Sequence, residues 1–135
     1  MLIRPDTFVN NTGEAVSALV KKYDPKAADI LVVCDDVNLD FGKLRLRASG
    51  SAGGHHGLES VIASLGSGDF PRLRVGVRKP DMPRDLAGFV LEKFSQEEEG
   101  RIGAILDGAA SVCVSWAREG FEAAMNRLSQ HLSVK

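Results

Sequence analysis

Residues 43–65, KLRLRASGSAGGHHGLESVIASL, pass from one structural period to another, and that change decides the fold. Lys43-Leu44-Arg45-Leu46-Arg47 alternates strictly, the pattern of a strand that packs one face and carries three cations on the other. Leu58, Val61, Ile62 and Leu65 then recur at the spacing of one helical face. Between them, the glycine loop Gly50–Gly57 delivers two adjacent histidines, His55 and His56, to the start of that helix. Glycines let backbone N–H groups approach a ligand closely, and a helix N-terminus offers unpaired donors with partial positive charge. The loop therefore suits a phosphate or an oxyanion.

Outward from this unit, the same logic organises the chain. Asn11 or Thr12 caps a helix with Ala15, Val16, Leu19 and Val20 on one face, ended by Asp24-Pro25. Ile30-Leu31-Val32-Val33-Cys34 is a continuous apolar run, predicted to be a strand buried on both faces, with Asp35 at its C-terminal end. Asp40-Phe41-Gly42 reads as a turn. Leu73, Val75 and Val77 alternate with Arg72, Arg74 and Gly76 in a further strand. A short amphipathic segment around Leu86–Phe94 precedes a long helix using Ile102, Ile105, Leu106, Ala109, Val112, Cys113 and Trp116. Gly120 interrupts it, and a last helix buries Phe121, Ala124, Met125 and Leu128. Alternating strands and helices make the chain α/β.

At 135 residues, 44% hydrophobic and 26% charged, the chain has the size and composition of one domain with a core. A net charge of −1 argues against indiscriminate nucleic-acid binding, so RNA contact calls for a local basic face. Cys34 and Cys113 sit in apolar runs without metal-ligand spacing and read as reduced core thiols. No leader and no bilayer-length apolar run is evident, which predicts a cytoplasmic protein without membrane partners.

Of three histidines, His131 lies in the C-terminal tail, leaving His55 and His56 for chemistry. A neutral imidazole acts as a general base when a carboxylate orients it, and Asp35 is the best-placed carboxylate. The alternative is that His55 hydrogen-bonds its own loop while His56 caps the helix or faces solvent. Asp35-Asp36 is not a metal pair, because adjacent strand residues point to opposite faces and no third ligand stands at a suitable spacing. The loop lacks the Lys-Ser/Thr ending of a P-loop and the dinucleotide glycine fingerprint, so neither nucleotide fold is supported. Lys43, Arg45 and Arg47 suit phosphates, or else form an ordinary solvated strand face.

Several motifs, taken in order, resemble the bacterial-type peptidyl-tRNA hydrolase family, which releases stalled peptides from tRNA. They are Arg4-Pro5-Asp6-Thr7-Phe8-Val9-Asn10-Asn11-Thr12-Gly13, Asp35-Asp36-Val37-Asn38-Leu39-Asp40-Phe41-Gly42, the cationic strand and the glycine loop. Phe70-Pro71-Arg72-Leu73-Arg74-Val75-Gly76-Val77, Phe89-Val90-Leu91-Glu92-Lys93-Phe94-Ser95 and Ala123-Ala124-Met125-Asn126-Arg127 complete the series. The resemblance implies one domain over residues 1–135, with a three-layer mixed sheet and helices on both faces, truncated at its N-terminus. It implies metal-independent hydrolysis of the peptidyl-tRNA ester without a cofactor, in a family whose full-length form is expected to be a monomer.

In that family a histidine activates water and an aspartate orients it; Asp35 matches the aspartate. Asn10 matches an asparagine that holds the peptide and the attacked carbonyl, with Phe8, Gly53, Gly54 and His55 lining the substrate site. Lys43, Arg45, Arg47 and Arg74 fall at positions implied to meet tRNA. His56 stands where an asparagine positions water or stabilises the oxyanion, and is expected to donate a hydrogen bond there from its imidazole N–H. The family's catalytic histidine and first strand precede the point matching Met1. Met1 is therefore read as an internal methionine, and the sheet is expected to expose an edge and apolar surface that leave the isolated chain molten or associated. Arg78 stands where a glycine is usual. The rival readings are a non-catalytic RNA-binding module and an inactive fragment of this fold.

Overall fold

The computed structural model describes residues 1–80 and 93–133, with side chains to residue 130. The Leu86–Phe94 segment falls mostly outside these residues, as does the His131 side chain. The elements are a 3-10 turn at Val9–Asn11, α1 (Thr12–Tyr23), a 3-10 turn at Ala27–Asp29, β1 (Val32–Asp40), β2 (Leu44–Arg47) and α2 (His56–Leu65). They continue with β3 (Arg72–Arg78), α3 (Gln96–Glu119) and α4 (Phe121–Ser133). The result is mixed α/β, as expected. Expected as one domain, the chain gathers into two compact units interleaved along the sequence, residues 1–32 with 47–71 and residues 33–46 with 72–135.

In the first unit α1 packs on α2 through a small-residue contact. The Gly13 N–H donates to Ser60 Oγ at 2.8 Å, and a Cβ on Gly13 would collide with Ser64 Oγ and the Ser60 carbonyl. Val16, Leu58, Val61 and Phe70 are buried in this unit. α1 ends where Asp24 enters the left-handed region at φ 47° and donates its N–H to the Val20 carbonyl, as Asp24-Pro25 predicts.

The sheet has the order β1-β3-β2. Val32 N–H donates to the Pro71 carbonyl and Phe41 N–H to the Arg78 carbonyl, so β1 and β3 run parallel. Gly76 N–H donates to the Lys43 carbonyl and Gly50 N–H to the Gly68 carbonyl, so β2 runs antiparallel. The two arms of the Asp40–Lys43 reversal are thus parted by β3. That reversal closes with Lys43 N–H on the Asp40 carbonyl at 3.0 Å, and Gly42 takes φ 84° at its third position, where a side chain would be strained. The backbone passes directly over Gly76, where a Cβ would collide with the carbonyl oxygens of Asp40 and Leu39.

This order corrects two expectations. The apolar run predicted to be buried on both faces forms an edge strand of the described sheet, with Val33 51% exposed. β3, predicted to alternate, lies in the centre and buries Arg72 to 1% exposure beside Leu73. Hydrophobicity reports which residues can be buried, whereas strand order follows from where one backbone can cross another. Asp35 is likewise mid-strand and not at a strand end, because the alternation from Asp35 to Asp40 continues β1.

In the second unit Leu44, Leu46, Leu73, Ile105, Ala109, Val112, Ala124 and Leu128 are buried, and α3 packs against α4. Leu106, predicted to be core, is 58% exposed, since the buried stripe runs through Ile105, Ala109 and Val112. α3 begins with a capping box: Glu98 N–H donates to Ser95 Oγ and Ser95 N–H to Glu98 Oε1. Arg78 donates through Nε (2.8 Å) and Nη2 (2.6 Å) to Asp40 Oδ1, which fastens the reversal. This gives the unusual residue at position 78 a local partner.

Gly76→Ala is expected to destabilise the protein by several kcal/mol, the scale of a backbone clash in a packed sheet, or to prevent folding. Urea unfolding with a wild-type midpoint would contradict the crossing. A second expectation concerns Glu98, whose carboxyl is held below its ordinary 4.5 by the Ser95 N–H, then by Lys79 at 2.9 Å, against the opposing effect of burial. A lowered folded pKa contributes stability above the unfolded value that is lost as pH falls through the folded one. Glu98→Gln should therefore show a shallower loss of stability than wild type on acidification below about pH 4.5, measured by urea unfolding at each pH.

Candidate functional site

The glycine loop acquires its shape from two residues that accept left-handed backbone. Gly53 (φ 58°) and Gly54 (φ 83°) are the central residues of a turn closed by His55 N–H on the Ala52 carbonyl at 3.1 Å. The turn sets His55 at the N-cap of α2, where its Nδ1 accepts the Leu58 N–H at 3.2 Å. One of the helix's unpaired donors is thereby satisfied by an imidazole in place of the usual hydroxyl or carboxylate. Gly57 makes room for the ring, since a Cβ there would stand 2.8 Å from His55 Cε1 and 3.1 Å from Val9 Cγ1.

Val9 belongs to the 3-10 turn that carries Asn10 and packs against α2. The structure thus brings Phe8, Asn10, Gly53, Gly54, His55 and His56 into one unit, with Phe8 82% exposed and Asn10, Gly53 and Gly54 also exposed. His56 faces solvent on the first turn of α2, its Nδ1 3.3 Å from Glu59 Oε2. Of the modest alternative, the solvent-facing His56 is realised, whereas His55 bonds the first turn of α2 as its cap in place of its own loop. Glu59 was not singled out from sequence, although its place three residues after His56 at a helix start is legible.

Asp35, Lys43, Arg45 and Arg74 belong to the second unit, while Arg47 falls in the first. The two aspartates face opposite ways, as adjacent strand residues must. Asp36 is buried, accepts the Asn38 N–H at 2.8 Å and lies 3.7 Å from Arg74. Asp35 is half-buried. Lys43, Arg45 and Arg47 are all exposed, with Leu44 and Leu46 buried between them, so β2 presents the expected cationic face. Arg74 does not join it: its side chain is 13% exposed and engaged with Asp36.

Burial pushes the Cys34 thiol from 9.0 up to about 11, with Asp35 and Asp36 adding to the rise and Arg74 and Arg72 opposing it. Burial also raises Cys113, and neither cysteine is in a disulfide. Among the described residues no cluster of three or more His, Cys, Asp or Glu could hold a metal ion, and no helix is long and apolar enough to cross a membrane. An open depression of about 500 Å³ is lined by Asp40, Arg78, Lys79 and Pro80, but carboxylates already engage both cations.

With Cys113 replaced by serine, alkylation of Cys34 by iodoacetamide should still be climbing above pH 10, because only about one thiol in a thousand is ionised at pH 8. A rate that levels off near pH 9, followed by mass spectrometry, would show an unburied thiol.

Comparison with known proteins places this geometry in a wider set. A family model described as peptidyl-tRNA hydrolase matches residues 1–135. The chain is 45% identical over 129 residues to the peptidyl-tRNA hydrolase of Desulforudis audaxviator, covering 96% of this chain and 65% of the relative. It is 43% identical over 131 residues to that of Chlorobaculum parvum, covering 96% and 69%. A crystal structure of peptidyl-tRNA hydrolase from Acinetobacter baumannii superposes with a TM-score of 0.80 at 31% identity, covering 92% of this chain and 63% of that one. The chain therefore spans about two thirds of the length of the relatives it matches.

Proposed function

The chain belongs to the peptidyl-tRNA hydrolase family, and from that premise we propose that it serves hydrolysis of the ester joining a peptide to tRNA, releasing the peptide and free tRNA in the cytoplasm. The observation that carries this reading is the family match along all 135 residues. The packing of the Asn10 turn against the start of α2 supports it, because a neutral amide beside a helix N-terminus suits a peptide carbonyl and its developing oxyanion.

In this proposal Asn10 holds the attacked carbonyl, and Phe8 supplies an exposed apolar surface for the peptide. Gly53 and Gly54 let their backbone N–H groups approach the substrate closely. Asp35 orients the imidazole that activates water. Lys43, Arg45 and Arg47 meet the phosphates of the acceptor stem, each adding a salt-sensitive increment of affinity. The chemistry needs no metal, since an oriented imidazole and fixed hydrogen-bond donors suffice for ester hydrolysis.

The test is turnover of a peptidyl-tRNA by the protein, with Asn10→Ala expected to lower kcat about 100-fold, the scale of losing one oxyanion donor. Tight tRNA binding without hydrolysis would favour the RNA-binding module instead. Replacing Arg45 and Arg47 together by alanine should weaken tRNA binding and flatten its salt dependence by roughly one to two counterions. An unchanged slope in a salt titration would leave these cations as a solvated face.

A further inference from the structure

The outward face of α3 carries almost no charge. Along residues 103–117 Asp107 is the one ionic side chain at an exposed position, while Leu106 is 58% and Val114 48% exposed. A surface helix ordinarily turns charged and polar residues to water, so a large apolar pair on that face marks a contact surface. Gly103 points the same way. A Cβ there would meet nothing within 4 Å, so no packing inside the chain calls for a residue that weakens a helix interior. A backbone approaching from outside does call for it.

Gly103, Leu106, Ala110, Val114 and Ala117 form one stripe along this face, at spacings of three, four, four and three residues. The spacing is the same read from either end. A two-fold axis at Ala110 therefore lays the stripe on itself in an antiparallel pair. Leu106 of one helix then stands opposite Val114 of the other, Gly103 opposite Ala117, and Ala110 opposite its own copy. Each large side chain falls beside the gap over a small one, as interleaved ridges require. The charges at the margins agree with this arrangement. The first turn of α3 is acidic and its last turn holds Arg118, and antiparallel pairing sets Arg118 level with position 102 of the second copy, between that copy's Glu99 and Asp107.

We propose that the outward face of α3 docks on a second copy of this chain as an antiparallel two-fold dimer, in contrast to the monomer expected of the family's full-length form. From Glu99 to Arg118 the contact is about 30 Å long. A single helix pair of that length stays below the roughly 1,200 Å² of stable interfaces, so the dimer is weak and exchanging.

Sedimentation equilibrium of the full chain, from about 10 μM to about 1 mM, brackets a weak association. The mass should climb from one chain toward two and stop there, because a two-fold contact closes on itself. Leu106→Lys and Val114→Glu should each weaken association at least tenfold without moving the urea midpoint, since both side chains lie at the surface. An equimolar mixture of these two variants should pair again, because the introduced lysine of one chain stands opposite the introduced glutamate of the other. Gly103→Gln should raise the urea midpoint, as a better helix former, and still weaken the dimer. A single-chain mass at every concentration overturns the proposal, as do species that grow beyond two chains. Association indifferent to all three substitutions overturns it too and points to the edge of the described sheet at β1. Loss of pairing in the single variants without recovery in the mixture overturns the antiparallel register.

Discussion

The reversal at Asp40–Lys43 carries its backbone across Gly76 with no room for a side chain between them, and the order of the sheet follows from that crossing. Because β3 enters between the arms of the reversal, β1 and β2 exchange hydrogen bonds with β3 and not with each other. Strand β2 is thereby fixed with Leu44 and Leu46 inward and Lys43, Arg45 and Arg47 outward, since a slip of one residue would turn every cation into the core. The cationic face is thus a consequence of register, and register depends on a glycine that carries no chemistry of its own. The same device recurs on a smaller scale at Gly57, where the missing Cβ leaves space for the His55 ring.

Much of this was legible in the sequence, and what was not has a common cause. Helices α1 and α2 follow from their apolar spacing, and Asp24 and Gly66 end them in left-handed backbone. The strict alternation of residues 43–47 gave the exposed cations correctly. The order of the strands was misread because periodicity describes one strand's faces and says nothing about which neighbours it pairs with. The run at Ile30–Cys34 was expected to be buried on both faces, yet β1, which begins within it, lies at an edge of the described sheet, while Arg72, expected only to alternate with Leu73, is buried beside it. At the candidate site, the glycine loop and the tail position of His131 singled out His55 and His56, but their division of labour depends on the backbone of Gly53 and Gly54. That conformation places His55 as the cap and leaves His56 to meet Glu59.

The aspartate pair shows how strand parity divides neighbouring identical groups. Asp36 turns to the side where Arg74 lies, and both side chains are nearly buried. Two such charges hold each other in place, and removing either one would strand the other in a poorly solvated setting. Asp36 is therefore committed to the architecture of β1 and β3. Asp35 points to the opposite side and keeps partial access to solvent. Asp35 lies within β1 and not at the strand end where sequence logic put it, and hydrogen-bonded strand holds its Cα more rigidly than a loop would.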